Sequence, residues 1–294
     1  MRHLVFIINP RSGIDRQKAI QEAIGRHLDK NEFTWEIRHT QYPGHGTQLA
    51  KEAADQQAFA VIAVGGDGSV NDIAKGLSGT PTALGIIPKG SGNGMARSLG
   101  IPLRVDLALN VLNSAHTIMM DIGYANEHAF VSNAGVGFDT VISEQFAKST
   151  RRGFKAYSWL VFRNLWRYQP QEWQITVDGQ EFRETAFMIT VANGQQFGYN
   201  FRIAPGASWT DGLFDVIIVK KFPKLMAGTL VWRALKGNIT KSPYVRHMIG
   251  TDIIIEHPDL KFMQTDGDAR EASSPVHFRM HPKALKVIVP PVSG

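Results

Sequence analysis

An α/β domain built on a parallel sheet, followed by a mostly antiparallel β sandwich or barrel, is the fold predicted by this 294-residue sequence. Three observations predict it. Before about Gly123, apolar β-branched runs alternate with segments of helical period, the pattern of βαβ units. Glycine-bearing loops leave the ends of those runs. Beyond Gly123, short strand-like runs dominate, with turn residues between them. The expected domains are therefore 1–123 and 124–294.

The elements follow in order. Leu4 to Ile8 is an apolar strand, followed by the loop Asn9-Pro10-Arg11-Ser12-Gly13. Arg16 to Leu28 reads as a helix with Ala19, Ile20, Ala23 and Ile24 on one face. Phe33 to His39 alternates as a strand, and Gln48 to Gln57 is helical. Phe59 to Val64 is a second apolar strand that stops at Gly65-Gly66-Asp67-Gly68. A helix follows from Ser69, then the strand Ala83 to Ile87, then Pro88-Lys89-Gly90-Ser91-Gly92-Asn93-Gly94 and a helix from Asn93 to Leu99. In open parallel sheets, ligands bind beyond the carboxyl ends of the strands, so the three loops should converge on one crevice. Downstream, strand-like runs are His128–Ser132, Trp173–Val177, Phe187–Val191, Phe214–Val219, Asp252–Glu256, Val276–Met280 and Leu285–Val289. Asp178-Gly179 is a strong hairpin-turn signal.

Composition narrows the class. With 43% hydrophobic and 20% charged residues the chain is ordinary for a globular protein. A net charge of +6 draws it to polyanions without choosing among nucleotides, nucleic acid and anionic lipid. The absence of cysteine excludes disulfides, thiolate metal sites and cysteine nucleophiles. No apolar stretch is long enough for a signal-peptide core or a membrane span. The expected location is cytoplasmic, with peripheral membrane association if the substrate is a lipid.

Glycines at a strand-to-helix turn let phosphate oxygens approach backbone N–H groups, and the free N–H groups of the helix attract anions. One such loop is equally well a tight turn. Three at one sheet edge favour phosphate binding. No GxxxxGK[ST] sequence occurs. The dinucleotide GxGxxG is only approached, and no acidic residue follows at the ribose distance, so a dehydrogenase is not expected. HExxH and GxSxG are absent too.

These motifs, in this order, resemble the diacylglycerol kinase catalytic-domain family, which includes bacterial lipid kinases and sphingosine kinases. Asn9-Pro10-x-Ser12-Gly13 is similar to the family's first phosphate loop. Gly65 to Asn71 resembles GGDGTxN, with Ser69 for Thr. Pro88 to Arg97 resembles PLGTGNDFAR, with Lys89 for the usual leucine and Gly94-Met95 for Asp-Phe. Asn133 to Asp139, NAGVGFD, resembles NxxGxGFD. Ile203 to Asp215 resembles IAPxAxxxDGxLD, and Asp266-Gly267-Asp268 stands where the family has DGE.

The resemblance implies a phosphofructokinase/NAD kinase-like first domain and an ATP-dependent kinase of a lipid hydroxyl, diacylglycerol or a sphingoid base. It implies that ATP is surrounded by Asn9, Pro10, Arg11, Ser12, Gly13, Thr40, Gly65, Gly66, Asp67, Gly68, Ser69, Val70, Asn71 and Ser91. Mg²⁺ is implied at Asp211, with main-chain carbonyls of Ser208 and Leu213. Asp268 is the implied general base; Asp67 and Asp121, each expected to end a strand at the crevice, are its rivals. Without the resemblance, Asp211-Gly212 and Asp266-Gly267 read as turns. Aspartate in place of the DGE glutamate is one methylene shorter and keeps open a catalytically drifted nucleotide- or lipid-binding protein. A kinase of a soluble acceptor such as NAD is the other alternative.

Arg151 to Tyr168 contains no acidic residue. On a helical wheel Arg152, Lys155, Arg163 and Arg167 share one face bordered by Trp159 and Trp166, with Phe154, Tyr157, Val161 and Leu165 opposite. The expectation is that this basic face meets an anionic membrane surface; the alternative is a solvated face. Lys220 to Arg246 is also basic but shows no comparable pattern beyond a helix started by Pro223. No nucleic-acid-reading motif is present, so no nucleic-acid partner is expected. An exposed sheet edge in the second domain leaves room for a homodimer.

Overall fold

The structure, a computed structural model, describes residues 1–10, 14–149, 154–198 and 200–291, with 14–17 and 154–157 as helix backbone alone. The chain forms two compact units, Met1–Asp121 with Pro282–Gly294, and Ile122–His281. The first unit thus includes the C-terminal residues that the sequence places in the second domain.

The first unit runs β1 (Arg2–Ile8), α1 (Ile14–His27), β2 (Phe33–His39), α2 (His45–Asp55), β3 (Ala60–Gly65), α3 (Asp67–Leu77), β4 (Ala83–Pro88), α4 (Gly94–Ser98), α5 (Val105–Ser114) and the start of β5 (Thr117–Ala125). Its strands are parallel in the order β2-β1-β3-β4. β1, β3 and β4 are buried along almost their whole length, as strands covered on both faces must be. α3 buries Val70, Ile73, Ala74 and Leu77, one helical stripe, against that sheet. Each fully buried side chain of this kind contributes roughly 1.5–3 kcal/mol.

The second unit continues with β6 (His128–Phe130), β7 (Asn133–Gly137), α6 (Phe138–Lys148), α7 (Phe154–Leu165), β8 (Gln171–Val177), β9 (Gln180–Ala192), β10 (Phe214–Lys220), α8 (Ala227–Leu235), β11 (Val245–Gly250), β12 (Asp252–Glu256), β13 (Phe262–Thr265), β14 (Asp268–Glu271) and β15 (Val276–Ile288). Its strands pair antiparallel: β9 joins β7, β8 and β10, β12 joins β8 and β15, and β13 joins β7 and β14. The β8–β9 turn is Asp178-Gly179, both at positive φ (45° and 82°), the geometry that the dipeptide signals. One apolar cluster fills the sheet interior around Trp173, Val216 and Phe278. A second lies under α6, α7 and α8 around Phe138, Leu160 and Leu230.

Some elements differ in extent from expectation: the strand expected at Phe187–Val191 runs Gln180–Ala192, and that expected at His128–Ser132 ends at Phe130. The runs Val276–Met280 and Leu285–Val289 are one strand, β15, which passes into the first unit with a positive φ at Lys283 and pairs in parallel with β4 (Val287 with Leu84). Proline at 282 does not end it, because proline is tolerated in a strand wherever its missing N–H is not needed for pairing. The helix expected from Ser69 begins at Asp67, so the GGDG turn is itself the helix start.

Candidate functional site

The strand order locates the first part of the site. β1 leads outward to β2 and the chain then returns to the other side of β1 as β3, so the connections diverge between β1 and β3. In open α/β sheets a crevice opens at such a switch point, beyond the carboxyl ends of the strands. Register brings the predicted loops to that one edge: Ile8 is opposite His39 and Val64, and Gly65 is opposite Pro88. Asn9 and Pro10 follow β1, and Thr40, whose N–H donates to the Ile8 carbonyl (3.1 Å), stands beside them. Arg11, Ser12 and Gly13 lie outside the described residues.

The two glycine loops touch. A Cβ added at Gly90 would lie 2.4 Å from the Gly66 Cα, and the Lys89 N–H donates to the Gly65 carbonyl (2.8 Å). Only residues without a side chain let the backbones meet so closely. The second loop is also tied within itself: the Gly90 N–H donates to Asn93 Oδ1 (2.9 Å), and Asn93 Nδ2 donates back to the Gly90 carbonyl (2.8 Å). The result is a rigid double loop at the start of α3, whose first-turn N–H groups have no partner within the helix. Asp67 is half-buried and accepts a long 3.4 Å hydrogen bond from the Met95 N–H. Gly68, Ser91 and Lys89 are exposed. Val70 is 3% exposed and faces the core, and its N–H is bonded to the Gly66 carbonyl. Asn71 is likewise buried. The loop surface is therefore formed by Gly65 to Ser69.

Asp121 does not end a strand. It lies within β5, is 1% exposed, and its Oδ1 accepts the Lys283 N–H (2.7 Å). The expectation that it ends a strand fails because β5 continues past it to Ala125. In the structure this carboxylate fastens β15 to the first unit.

In the second unit Asp268 opens β14, directly after the turn Asp266-Gly267. Both turn residues have positive φ (52° and 86°), a two-residue hairpin of the same kind as Asp178-Gly179. Asp268 is 70% exposed at the side chain and 3.5 Å from the Arg270 guanidinium. The hairpin is firmly held. The Asp266 carboxylate accepts the N–H groups of Val131 (3.0 Å) and Ser132 (2.7 Å). Charge-assisted hydrogen bonds of this kind are about twice as strong as neutral ones.

Behind it lies a buried polar network. Gln264 Oε1 accepts the Gly267 N–H (2.8 Å), while its Nε2 donates to Asn133 Oδ1 (2.8 Å) and Asp139 Oδ2 (3.3 Å). Asp139 Oδ1 accepts the Thr140 N–H (2.9 Å). Burial pushes the Asp139 carboxyl up to about 7, against the opposing pull of these hydrogen bonds. Tyr168, buried nearby, is raised first by its own burial and then by the Asp139 charge. Sequence reasoning quoted NAGVGFD as a motif but gave its Asn133 and Asp139 no role. The signal is in the motif itself: an asparagine opening a buried apolar strand and an aspartate in the first turn of the helix after it need partners.

Asp139 gives a pH prediction. Its native value near 7 lies above the 3.8 of an ordinary aspartate, so between those values the folded chain holds a proton that the unfolded chain releases. Its contribution to stability is therefore fully present below pH 4 and lost as pH rises through 7. In urea unfolding, the parent should lose stability from pH 5 to 7 more steeply than Asp139→Asn, by at most about 1.4 kcal/mol per pH unit. The slope is the readout, because the amide also disturbs the Gln264 bond. Equal slopes would show that Asp139 does not titrate there.

The expected magnesium ligands lie in the turn before β10. Asp211 is exposed, and its Oδ1 accepts the Leu213 N–H (3.1 Å), curling the turn. Asp215 is buried and bonds His247 Nε2 (2.6 Å); its carboxyl is raised by burial, opposed by His247, with the Asp211 charge adding a smaller push. Among the described residues no group of three or more His, Asp or Glu could hold a metal. One carboxylate with main-chain carbonyls is a sparse, all-oxygen set, which suits magnesium, an ion that keeps several waters. The donors of the set implied by the family resemblance, carboxylate and carbonyl oxygens, are of the kind magnesium takes.

Both parts of the chain resemble known families. Residues 3–125 match the family described as the diacylglycerol kinase catalytic domain, and residues 132–289 match the YegS C-terminal NAD kinase β sandwich-like domain. A relative from Chromohalobacter salexigens named "Probable lipid kinase YegS-like" is 34% identical over 75% of this chain and 72% of its own. The diacylglycerol kinase of Bacillus subtilis is 28% identical over 91% of this chain and 90% of its own. The crystal structure of a diacylglycerol kinase from Bacillus anthracis has the same fold, with a TM-score of 0.75 at 22% identity, covering 99% of this chain and 97% of that one. The chain belongs to the diacylglycerol kinase catalytic-domain family, with a second unit of the YegS C-terminal type.

Proposed function

We propose that this protein is an ATP-dependent lipid kinase that moves the γ-phosphate of ATP to the hydroxyl of a lipid of the diacylglycerol or sphingoid type. The observation that carries the phosphate half of this reading is the rigid double glycine loop at the switch point of the first unit. The lipid half is supported by the names of its relatives.

In this reading the N–H groups at the start of α3 and around Gly90 hold the phosphates, with Asn9, Pro10 and Thr40 at the same edge. Magnesium would be held by Asp211 and the carbonyls of Ser208 and Leu213, and when bound it offsets charge on the phosphates. Asp268 takes the acceptor's hydroxyl proton as that oxygen closes on the γ-phosphorus and ADP leaves. Its exposure leaves it free to meet an acceptor, while the Asp266 clamp fixes where it stands. The membrane contact proposed for the basic helix falls on Arg163 and Arg167, both exposed. Arg152 and the side chain of Lys155 lie outside the described residues. Among the described residues, no helix is long and apolar enough to cross a membrane.

The test is transfer of labelled γ-phosphate from ATP, with magnesium, to a panel of lipid alcohols in mixed micelles, beside a lipid-free arm containing NAD. A phosphorylated lipid is the expected product. NADP formation with no lipid product would replace the acceptor by a soluble one, and nucleotide binding without any transfer would leave a binding protein.

A further inference from the structure

The charge of the chain is unevenly distributed. No Asp or Glu occurs between Glu144 and Glu172, nor between Asp215 and Asp252. These two stretches hold 13 of the 32 Lys and Arg and none of the 26 Asp and Glu, so the remainder of the chain is net acidic. The first stretch contains α7 and the second contains α8. Both helices cover the same core cluster, α7 through Leu160 and α8 through Leu230 and Ala234. They are also tied together: Lys224, just before α8, donates to the Leu165 and Tyr168 carbonyls at the end of α7 (2.6 and 2.7 Å).

With their inward faces committed to one core, both helices turn large apolar side chains outward. On α7 and the turn that ends it these are Trp159, Phe162 (66% exposed) and Trp166, at helical spacing. Beside and on α8 they are Leu225 (86%), Trp232 (55%) and Leu235. The α7 wheel drawn from sequence made its outer face basic with tryptophans at the rim; the structure adds the exposed Phe162 along its edge. In the second stretch the exposed apolar residues are divided between the turn Lys224–Met226 and α8, so no single helical wheel collects them. Arg163 lies 4.7 Å from the Trp159 ring centroid, so cation and indole share one site on the surface.

We infer that the α7–α8 face, with Leu225, Trp232 and Leu235 as its inserting residues, is a docking surface for an anionic lipid bilayer. Indole rings favour the boundary between headgroups and chains, aliphatic side chains favour the chains beyond it, and the surrounding Lys and Arg favour anionic headgroups. Nucleic acid would also suit cations and aromatic rings, but Leu225 and Leu235 offer nothing to a base. A large apolar face without acidic residues suits a bilayer better than a protein surface of mixed charge. The inference deepens the lipid-kinase reading, since it names the surface by which a bilayer-borne acceptor is reached, and it rests on that reading only for its purpose.

The experiment is flotation with vesicles of phosphatidylglycerol and phosphatidylcholine, with no ATP or acceptor present, comparing the parent with Trp232→Gln/Leu235→Gln. Unfolding midpoints confirm that the variants are folded; the second variant, Leu225→Ser, lies outside α8 at a side chain that is 86% exposed. The expected result is binding to anionic vesicles that each variant weakens by about tenfold or more. Transfer to a water-soluble short-chain acceptor should be unchanged in both variants. Unchanged flotation of the folded variants would overturn the inference. So would a parent dimer that both variants dissociate, or retention on nucleic acid in preference to vesicles. Flotation lost in the variants, with no phosphoryl transfer to any lipid by the parent, would keep the docking surface and sink the kinase reading instead.

Discussion

Asp268→Asn is expected to lower kcat for phosphoryl transfer by about 10²- to 10⁴-fold, the range for loss of a general base, with little change in the KM for ATP. The side chain keeps its shape and loses only its charge and basicity. Its surroundings make the experiment clean. Asp268 is largely exposed and its one described ion pair, with Arg270 at 3.5 Å, is of the kind that contributes ~0–1 kcal/mol. The hairpin beneath it is held by Asp266 and Gln264, neither of which the change touches. The unfolding midpoint should therefore stay put while kcat falls. Asp268→Glu, which restores the residue of the family's DGE, should keep much of the activity. A kcat for Asp268→Asn within tenfold of the parent would move the base elsewhere, with Asp67 first in line because it stands at the double loop.

The second large effect is expected at Gly90→Ala. The added methyl would meet the Gly66 Cα at 2.4 Å and Asn93 Oδ1 at 2.9 Å, and the first of these is backbone that no rotamer change can move. The two loops must separate, which lengthens the Lys89–Gly65 hydrogen bond and turns the first N–H groups of α3 away from their common target. Overpacking of this kind costs roughly 1–3 kcal/mol of stability. The loss in nucleotide affinity should be larger in proportion, about tenfold or more, because phosphate binding relies on several N–H groups aimed at one point. Calorimetric titration with a non-hydrolysable ATP analogue measures the affinity and urea unfolding the stability. Gly25→Ala, in α1, is the control, since a Cβ there meets nothing within 4 Å and the residue is not part of either loop. Unchanged affinity in Gly90→Ala would mean that the double loop is only a structural turn.

The first unit was readable in the sequence because its signals are local. Leu4 to Ile8 and Phe59 to Val64 are short apolar runs between turn residues, and each glycine loop follows its strand directly. What local signals miss is pairing between distant segments. Nothing around Leu285 announces that it returns to β4, and nothing around Asp121 announces that it meets the Lys283 N–H. The Asn133–Gln264–Asp139 network joins residues more than a hundred positions apart, so only the fold reveals it. The exposed face of α8 was missed for a related reason: Leu225 lies on a separate turn, and a wheel drawn for one helix leaves it out.

The return of β15 to the first unit has a consequence for how this chain is made. The first sheet is unfinished when its own residues have been synthesised, because β4, buried along its whole length, still lacks the neighbour at Val287. Until the second unit has been translated and residues beyond Pro282 emerge, β4 is an open edge able to pair with other chains. The nascent protein must hold this half-built sheet in reserve while a later-born unit folds ahead of it. Chains cut short after His281 should consequently be sticky rather than merely inactive, because the β4 edge that β15 covers stays open.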